Sequence, residues 1–273
     1  MTNTSSNKST ALITGASSGI GAVYADRLAR RGYDLILVAR NRQRLDTLSR
    51  RITAETGRNV RAVTADLATP HGVQSIEHIL REDTQVSLLV NNAGLGSVAP
   101  LLDADVEKME HMIHLNVTAL TRLTYAAVPG LVRRGGGTVI NIASVVAIAP
   151  ERLNGVYGGS KAFVLAFSQS LDHELRDKNI RVQAVLPGAT ATDFWDIAGK
   201  PVHELPSDWV MSAEDMVDAS LTGLDLGEVV TIPALPDGGE WDRYDTARRA
   251  MAVRLSGAIP APRYTAARRS AAA

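Results

Sequence analysis

The sequence contains no cysteine, which excludes disulfides and every chemistry that needs a thiolate. Aromatic side chains are scarce, at 4% of residues, so any local cluster of them carries information. Neither charge is in excess, because 29 lysines and arginines balance 29 aspartates and glutamates. Such a balance offers no field to attract nucleic acid or an anionic membrane surface. Long apolar runs are missing too, and none approaches the ~18 residues of a membrane span. The opening stretch MTNTSSNKST is polar throughout. It lacks the apolar centre of a signal peptide, so a soluble, cytoplasmic protein with a disordered lead-in is expected. His111, His114 and His173 recur at no metal-ligand spacing, and no metal is expected.

What is there is ordinary in amount and regular in order. The 273 residues are 45% hydrophobic and 21% charged, which suits a globular chain. Short apolar runs predict strands at 10–14, 34–39, 60–64, 86–90, 138–143, 180–186 and 229–232. Helical patterns lie between them: one after Gly21, then about 41–56, 70–82, 104–133, 155–178, 213–226 and 241–255. The long 104–133 helix carries Asn116, and Pro129 is the expected place for a break. Steady alternation of this kind predicts an α/β fold. The expectation is a single Rossmann-like, doubly wound parallel sheet with helices on both faces, with ligands at the carboxyl ends of its strands. No linker or fixed-period repeat divides the chain, so one domain over 1–273 is expected, with a loosely ordered alanine/arginine tail at about 262–273.

Chemistry-bearing residues fall at those strand ends. The first strand runs into Thr14-Gly15-Ala16-Ser17-Ser18-Gly19-Ile20-Gly21 and then a helix. Strand, glycine turn and helix start form a phosphate cradle. Gly15 permits the turn, Gly19 lets the backbone approach a pyrophosphate, and Gly21 lets helix and sheet pack closely. The second strand ends Val38-Ala39-Arg40, without the carboxylate that would bond ribose hydroxyls. A 2′-phosphate would be held there by a charge-assisted bond of about 1.5–3 kcal/mol. Tyr157 and Lys161 stand four apart on a predicted helix and share one face. A fixed ammonium about 4 Å from a phenol, at an effective dielectric near 20, lowers a reference pKa of about 10 towards neutrality. The pair is therefore an acid/base device for an alcohol or a carbonyl.

Together TGASSGIG at 14–21, Asp66, NNAG at 91–94, Asn116, Ser144, YGGSK at 157–161 and PGATAT at 187–192 make the chain resemble the classical short-chain dehydrogenase/reductase family, in its NADP-preferring type. The likeness covers about residues 8–192. It implies an oxidoreductase that moves a hydride between NADP(H), with NAD(H) possible, and a carbonyl or secondary alcohol. By the same resemblance Tyr157 is the acid/base and Ser144 steadies the substrate oxygen. Lys161 holds the nicotinamide ribose and lowers the phenol's pKa, and Asn116 offers a backbone carbonyl to a relay water. The cofactor set it implies is Gly15, Ser17, Ser18, Gly19, Ile20, Gly21, Arg40, Asp66, Leu67, Asn91, Ala93, Gly94, Tyr157, Lys161, Pro187, Gly188, Thr190 and Thr192. Asp66 is expected at the adenine, Asn91 near the adenosine ribose and Thr192 at the nicotinamide carboxamide or the phosphates. A homodimer or homotetramer is expected, because the long helix and the Tyr–Lys helix form subunit contacts in that family. Two departures stand out: Gly159 where alanine is usual, and Val145-Val146 where small or polar residues are usual. The alternatives on the same scaffold are a nucleotide-binding member without redox turnover and an epimerase or dehydratase.

After Gly188 the regularity fails. Two of the chain's three tryptophans fall at 193–211, a length and place that suit a lid over a site. Phe194, Trp195, Ile197, Trp209, Val210 and Met211 are expected to face an apolar substrate, with Val145 and Val146 as the opposite wall. Asp193, Asp196, Lys200, His203 and Asp208 are expected on the lid's outer face, and charged substrates are expected to be disfavoured.

Overall fold

The computed structural model describes residues 9–264. Residues 1–8 of the expected ten-residue lead-in and residues 265–273 of the tail expected at about 262–273 lie outside the described residues. Contacts divide the chain into a unit ending at Pro233 and another beginning at Ala234.

The first unit is built on seven parallel strands in the order β3-β2-β1-β4-β5-β6-β9. These are β1 Thr10–Thr14, β2 Asp34–Ala39, β3 Val60–Thr64, β4 Val86–Asn91, β5 Gly137–Ile142, β6 Ile180–Val185 and β9 Val230–Thr231. Two short strands, β7 Ala189–Thr190 and β8 Val210–Met211, pair separately. The helices are α1 Gly19–Arg30, α2 Arg42–Thr56, α3 Pro70–Glu82, α4 Val106–Ile113, α5 Leu120–Arg133, α6 Gly155–Leu175, α7 Phe194–Ala198 and α8 Ala213–Asp225. β1 and β2 are buried along their whole length, as parallel strands covered on both faces must be. One face packs on Tyr24, Leu28, Leu45 and Met216. The other packs on Ile76, Leu80, Leu123 and Ala127. Chain order reverses between β1 and β4, so the crevice beside them opens at the carboxyl ends, as the alternation predicts.

Local sequence sets the element ends. Thr69 accepts a hydrogen bond from Gly72 N at 3.1 Å, and Pro70 starts α3, where its missing N–H costs nothing. Gly57 ends α2 at φ 69°, a left-handed cap that favours glycine. The helix expected over 104–133 does not break at Pro129. That proline sits inside α5, and the carbonyl it leaves without a donor belongs to Tyr125, 70% exposed and open to water. The interruption comes earlier, as a wider π-helical segment at His114–Ala119. There Asn116 pulls the chain towards the loop after β4, and π segments of this kind gather at functional sites.

The second unit contains α9, Gly238–Ala252. Asp237 caps it by accepting from Gly239 N at 2.9 Å. Arg248 and Arg249 both reach Asp245, and the Trp241 and Tyr244 rings lie 5.3 Å apart.

Candidate active site

The carboxyl ends of β1, β4, β5 and β6 open onto one cavity of about 550 Å³. At one end lies the glycine turn, with Gly15 at φ +65° and Gly19 at φ +52°. A Cβ on Gly21 would sit 2.3 Å from the Gly15 carbonyl oxygen, so only glycine allows this approach of helix and turn. The Ser18 side chain does not cap α1, and no acid stands in its first turn. By contrast Asn41, Thr69, Asn154 and Ser212 cap α2, α3, α6 and α8. The α1 amides are thus left to an anion in the cavity, at the positive end of the helix dipole.

At the other end, α6 carries Tyr157 and Lys161, both buried. Its register is fixed by Asn154, whose Oδ1 accepts from Val156 N at 2.9 Å and Tyr157 N at 3.3 Å. The Asn154 amide donates to Ala99 O at 2.6 Å. Lys161 Nζ donates to Ile142 O at 2.8 Å and stands 5.9 Å from the Tyr157 ring centroid. Ser144 follows β5, and its hydroxyl donates to Pro187 O at 3.4 Å. Burial pushes the Tyr157 phenol up to about 12, partly offset by a hydrogen bond with Ser144. Burial also pulls the Lys161 ammonium down to about 8. The phenol therefore moves opposite to the expectation from the Tyr–Lys spacing. Desolvation penalises each charged form, and the ammonium is turned onto a backbone carbonyl rather than the phenolic oxygen.

Asn116 joins the loop after β4 to α6. Its Oδ1 accepts from Leu95 N and its Nδ2 donates to Leu95 O, both at 2.8 Å. Nδ2 also donates to Ser160 Oγ at 3.1 Å, and Ser160 Oγ donates to Tyr157 O at 2.8 Å. A Cβ on Gly94 would lie 3.2 Å from Asn116 Oδ1 and 3.5 Å from Lys161 Nζ, which keeps that wall free of side chain.

The sequence profile of the short chain dehydrogenase family matches residues 9–201. This chain belongs to that family. It is similar in structure to a short-chain dehydrogenase from Sphingobium yanoikuyae in complex with NADPH. The identity is 48%, over 93% of this chain and 98% of that one, with a TM-score of 0.90. The bulky-bulky ketone specific alcohol dehydrogenase from Comamonas testosteroni matches at 42% identity, over 95% of this chain and 99% of that one, with a TM-score of 0.87. Among curated relatives, the very-long-chain 3-oxoacyl-CoA reductase of Anas platyrhynchos is 33% identical over 72% of this chain. The chain spans 64% of the length of that relative.

In this short chain dehydrogenase the segment after Thr192 folds over the cavity. Trp195 is buried and its Nε1 donates to Thr190 O at 3.0 Å. The Phe194 ring stands 5.7 Å from Tyr157 and 5.6 Å, edge-on, from Trp195. Val98 N donates to Ala198 O at 3.2 Å, tying the lid to the loop after β4. Phe194, Trp195, Ile197 and Trp209 line the cavity, as do Val145 and Val146 opposite. Val210 and Met211 do not; they form β8. Asp193 and Lys200, expected outside, line the cavity instead, because the turns of the lid bring its base and the end of α7 round to its inner side.

Of the cofactor and catalytic residues expected from sequence, Gly15, Ser18, Gly19, Ile20, Ala93, Gly94, Ser144, Tyr157, Lys161, Pro187, Gly188, Thr190 and Thr192 line this cavity. Ser17, Gly21, Asn116, Arg40, Asp66, Leu67 and Asn91 do not. Gly21 and Asn116 support it from behind. Arg40 is exposed at the end of β2, with no side-chain partner among the described residues. Asp66 is half-buried after β3, its carboxylate accepting from Ala68 N at 3.0 Å. Leu67 packs in the core. The Asn91 side chain does not reach the cavity. It is 3% exposed, and its Nδ2 donates to Thr124 Oγ1 at 3.0 Å and Asn141 Oδ1 at 2.9 Å. Its side chain thus belongs to a buried network under α5. The neighbour Asn92 faces the cavity instead, and its Nδ2 donates to Thr14 O at 2.8 Å and Gly15 O at 3.2 Å, bracing the glycine turn. Successive strand residues point to opposite faces, and the doubled asparagine does not say which is which. Leu95, Val98, Arg152 and Leu153 also line the cavity and carry no motif that would have marked them.

Proposed function

We propose that this chain is an NADP(H)-dependent oxidoreductase acting on a mainly apolar carbonyl compound or the corresponding secondary alcohol. The observation that carries the reading is one cavity with an uncapped helix start at one end and the Ser144–Tyr157–Lys161 cluster at the other. A dinucleotide fits the residues present. The α1 amides suit its pyrophosphate, and the unpartnered Arg40 guanidinium suits a 2′-phosphate. A Cβ on Gly188 would meet nothing within 4 Å, which leaves room for a flat ring beside Tyr157. The relative complexed with NADPH supports the same choice, with NAD(H) as the weaker alternative. Asp66 is assigned to the adenine side, and Thr190 and Thr192 to the nicotinamide side.

The chemistry such a cofactor supplies when bound is a hydride. The chain's own part is the proton. With its phenol raised to about 12, Tyr157 is protonated at neutral pH and donates to the oxygen of a carbonyl held by Ser144. Lys161, with its ammonium near 8, is the cation that steadies the phenolate left behind. Asn116 keeps Ser160, and through it the Tyr157 turn of α6, in place. Phe194, Trp195, Leu95 and Leu153 exclude water and accept an apolar body. A relative specific for bulky-bulky ketones supports the carbonyl class. A homo-oligomer is part of the reading, with exposed Tyr125 stacked on Phe167 at 6.4 Å as part of the subunit contact.

The test is NADPH oxidation against a panel of ketones and aldehydes, with Tyr157→Phe as control. The variant is expected to lose about 10²–10⁴-fold in kcat while NADPH binding, read by titration, is kept. Retention of more than roughly a tenth of kcat, with chemistry limiting, would remove Tyr157 from the role. Cofactor recycling without net oxidation would favour an epimerase or dehydratase. Binding without turnover would favour a nucleotide-binding member.

A further inference from the structure

Two cations line the cavity where no carboxylate answers them. Arg152 ends the turn Pro150–Arg152 before α6, and Lys200 lies two residues beyond α7. Neither side chain has a hydrogen-bond or ion-pair partner among the described residues. The carboxylate that does line the cavity, Asp193, is held by Arg44 at 2.9 Å. Glu151, Asp196 and Glu204 are neighbours in sequence, yet they do not line the cavity or pair with either cation.

Some arginines on the outer faces are paired, Arg27 with Asp218, Arg31 with Asp225 and Arg122 with Glu77, and others such as Arg40, Arg50 and Arg61 stand in water without a partner among the described residues; Arg152 and Lys200 differ from both groups in lining the cavity unpaired. The two cations also sit at the reacting end. Leu153, next to Arg152, packs in one cluster with Tyr157 and Phe194. Lys200 N donates to Trp195 O at 3.0 Å, and Trp195 supports the Phe194 ring against Tyr157. By these neighbours both residues belong to the Tyr157 side of the cavity. Two unpaired cations on one cavity offer an anionic group charge-assisted hydrogen bonds that a neutral group cannot match.

We propose that the substrate's apolar body ends in an anionic oxygen group, a carboxylate or a phosphate, and that Arg152 and Lys200 receive it while Tyr157 faces the carbonyl. This rests on the carbonyl reading above and reverses, for anions, the expectation that charge is disfavoured. It makes Arg152 and Lys200 specificity-determining residues that act on binding rather than on proton transfer.

The experiment is a matched set of ketones of one length whose far end is a methyl ester, a carboxylate, a phosphate monoester or a trimethylammonium group. Values of kcat/KM with NADPH are compared for wild type, Arg152→Gln and Lys200→Gln. In wild type at least one anionic ketone is expected to exceed the ester by about tenfold or more, mainly through KM. The better of carboxylate and phosphate identifies the source of the anion. Each variant is expected to cut the anion-to-ester ratio by about tenfold, and the cationic ketone is expected to be the poorest. Added salt should weaken the anionic ketone selectively in the wild-type protein, which keeps the test open if a variant fails to fold. Equal use of ester and anions, or a ratio that neither variant changes, overturns the proposal and leaves the redox reading standing. If no ketone turns over, calorimetric binding of the saturated carboxylate lacking the carbonyl decides. Binding weakened in both variants supports the anion site, and no difference overturns it.

Discussion

Lys161 is the side chain at which chemistry and stability oppose each other. Its ammonium is pulled from a reference value of 10.5 to about 8 by burial. Between those values the unfolded chain binds more protons than the folded one, so stability rises with pH across that window. Below about 8 the cost of the buried charge is fully present and amounts to a few kcal/mol. Lys161→Met is therefore expected to be inactive yet more stable than wild type at pH 7. Urea unfolding should show that advantage shrinking as pH climbs towards 10.5. Carbonyl reduction by wild type should fall as pH passes about 8 and the ammonium is lost. Arg40 offers the reverse case, an exposed cation whose removal should not touch the fold. Arg40→Ala is expected to lose about 1.5–3 kcal/mol for NADPH and little for NADH, measured by titration. Equal losses would make the arginine structural.

Among the elements, the lid packs against glycine. A Cβ on Gly96 would lie 2.2 Å from the Phe194 Cζ, and Phe194 in turn faces Tyr157. Gly96→Ala is expected to displace that ring, cost about 1–3 kcal/mol of stability, and lower kcat/KM for large ketones, read by thermal unfolding and steady-state rates. The elements that the sequence makes easiest to read are those set by local rules. β1 and β2 are continuous apolar runs, and α3 announces itself with Thr69-Pro70. Less legible is whatever depends on partners distant in sequence. Pro129 is a helix breaker by local rule, but its exposed setting removes the penalty. The true interruption at His114–Ala119 needs Leu95, twenty-one residues away, to be seen. Asn91 and Asn92 look alike until the sheet assigns one to each face. Arg152 and Lys200 sit in turns without periodicity, so nothing local marks them as cavity residues. The same holds for the phenol's pKa: spacing put a cation nearby, but only the packing shows that burial dominates.

At the scale of the molecule, no helix among the described residues is long and apolar enough to cross a membrane. The subunit contact proposed above would use exposed apolar surface. Tyr125 on α5 and Phe163 on α6 flank Phe167 in a stacked row, 6.4 Å and 5.6 Å between centroids. Tyr125→Glu is expected to yield a smaller species by sedimentation, and an unchanged mass would place any subunit contact elsewhere. The lid, by contrast, is one contiguous stretch, packed on the body through Phe194 against Tyr157 and through Ala198, which accepts from Val98 N at 3.2 Å. β7 and β8 pair side by side, Ala189 with Val210 and Thr190 with Met211, so the chain leaves and rejoins the body at neighbouring points. Everything between is a single insertion. Exchange of its outer part, beyond Ala198, is expected to leave the strand ends, the glycine turn and the Tyr–Lys helix where they are. Substrate range can therefore drift by replacement of one contiguous segment while the proton chemistry is inherited unchanged.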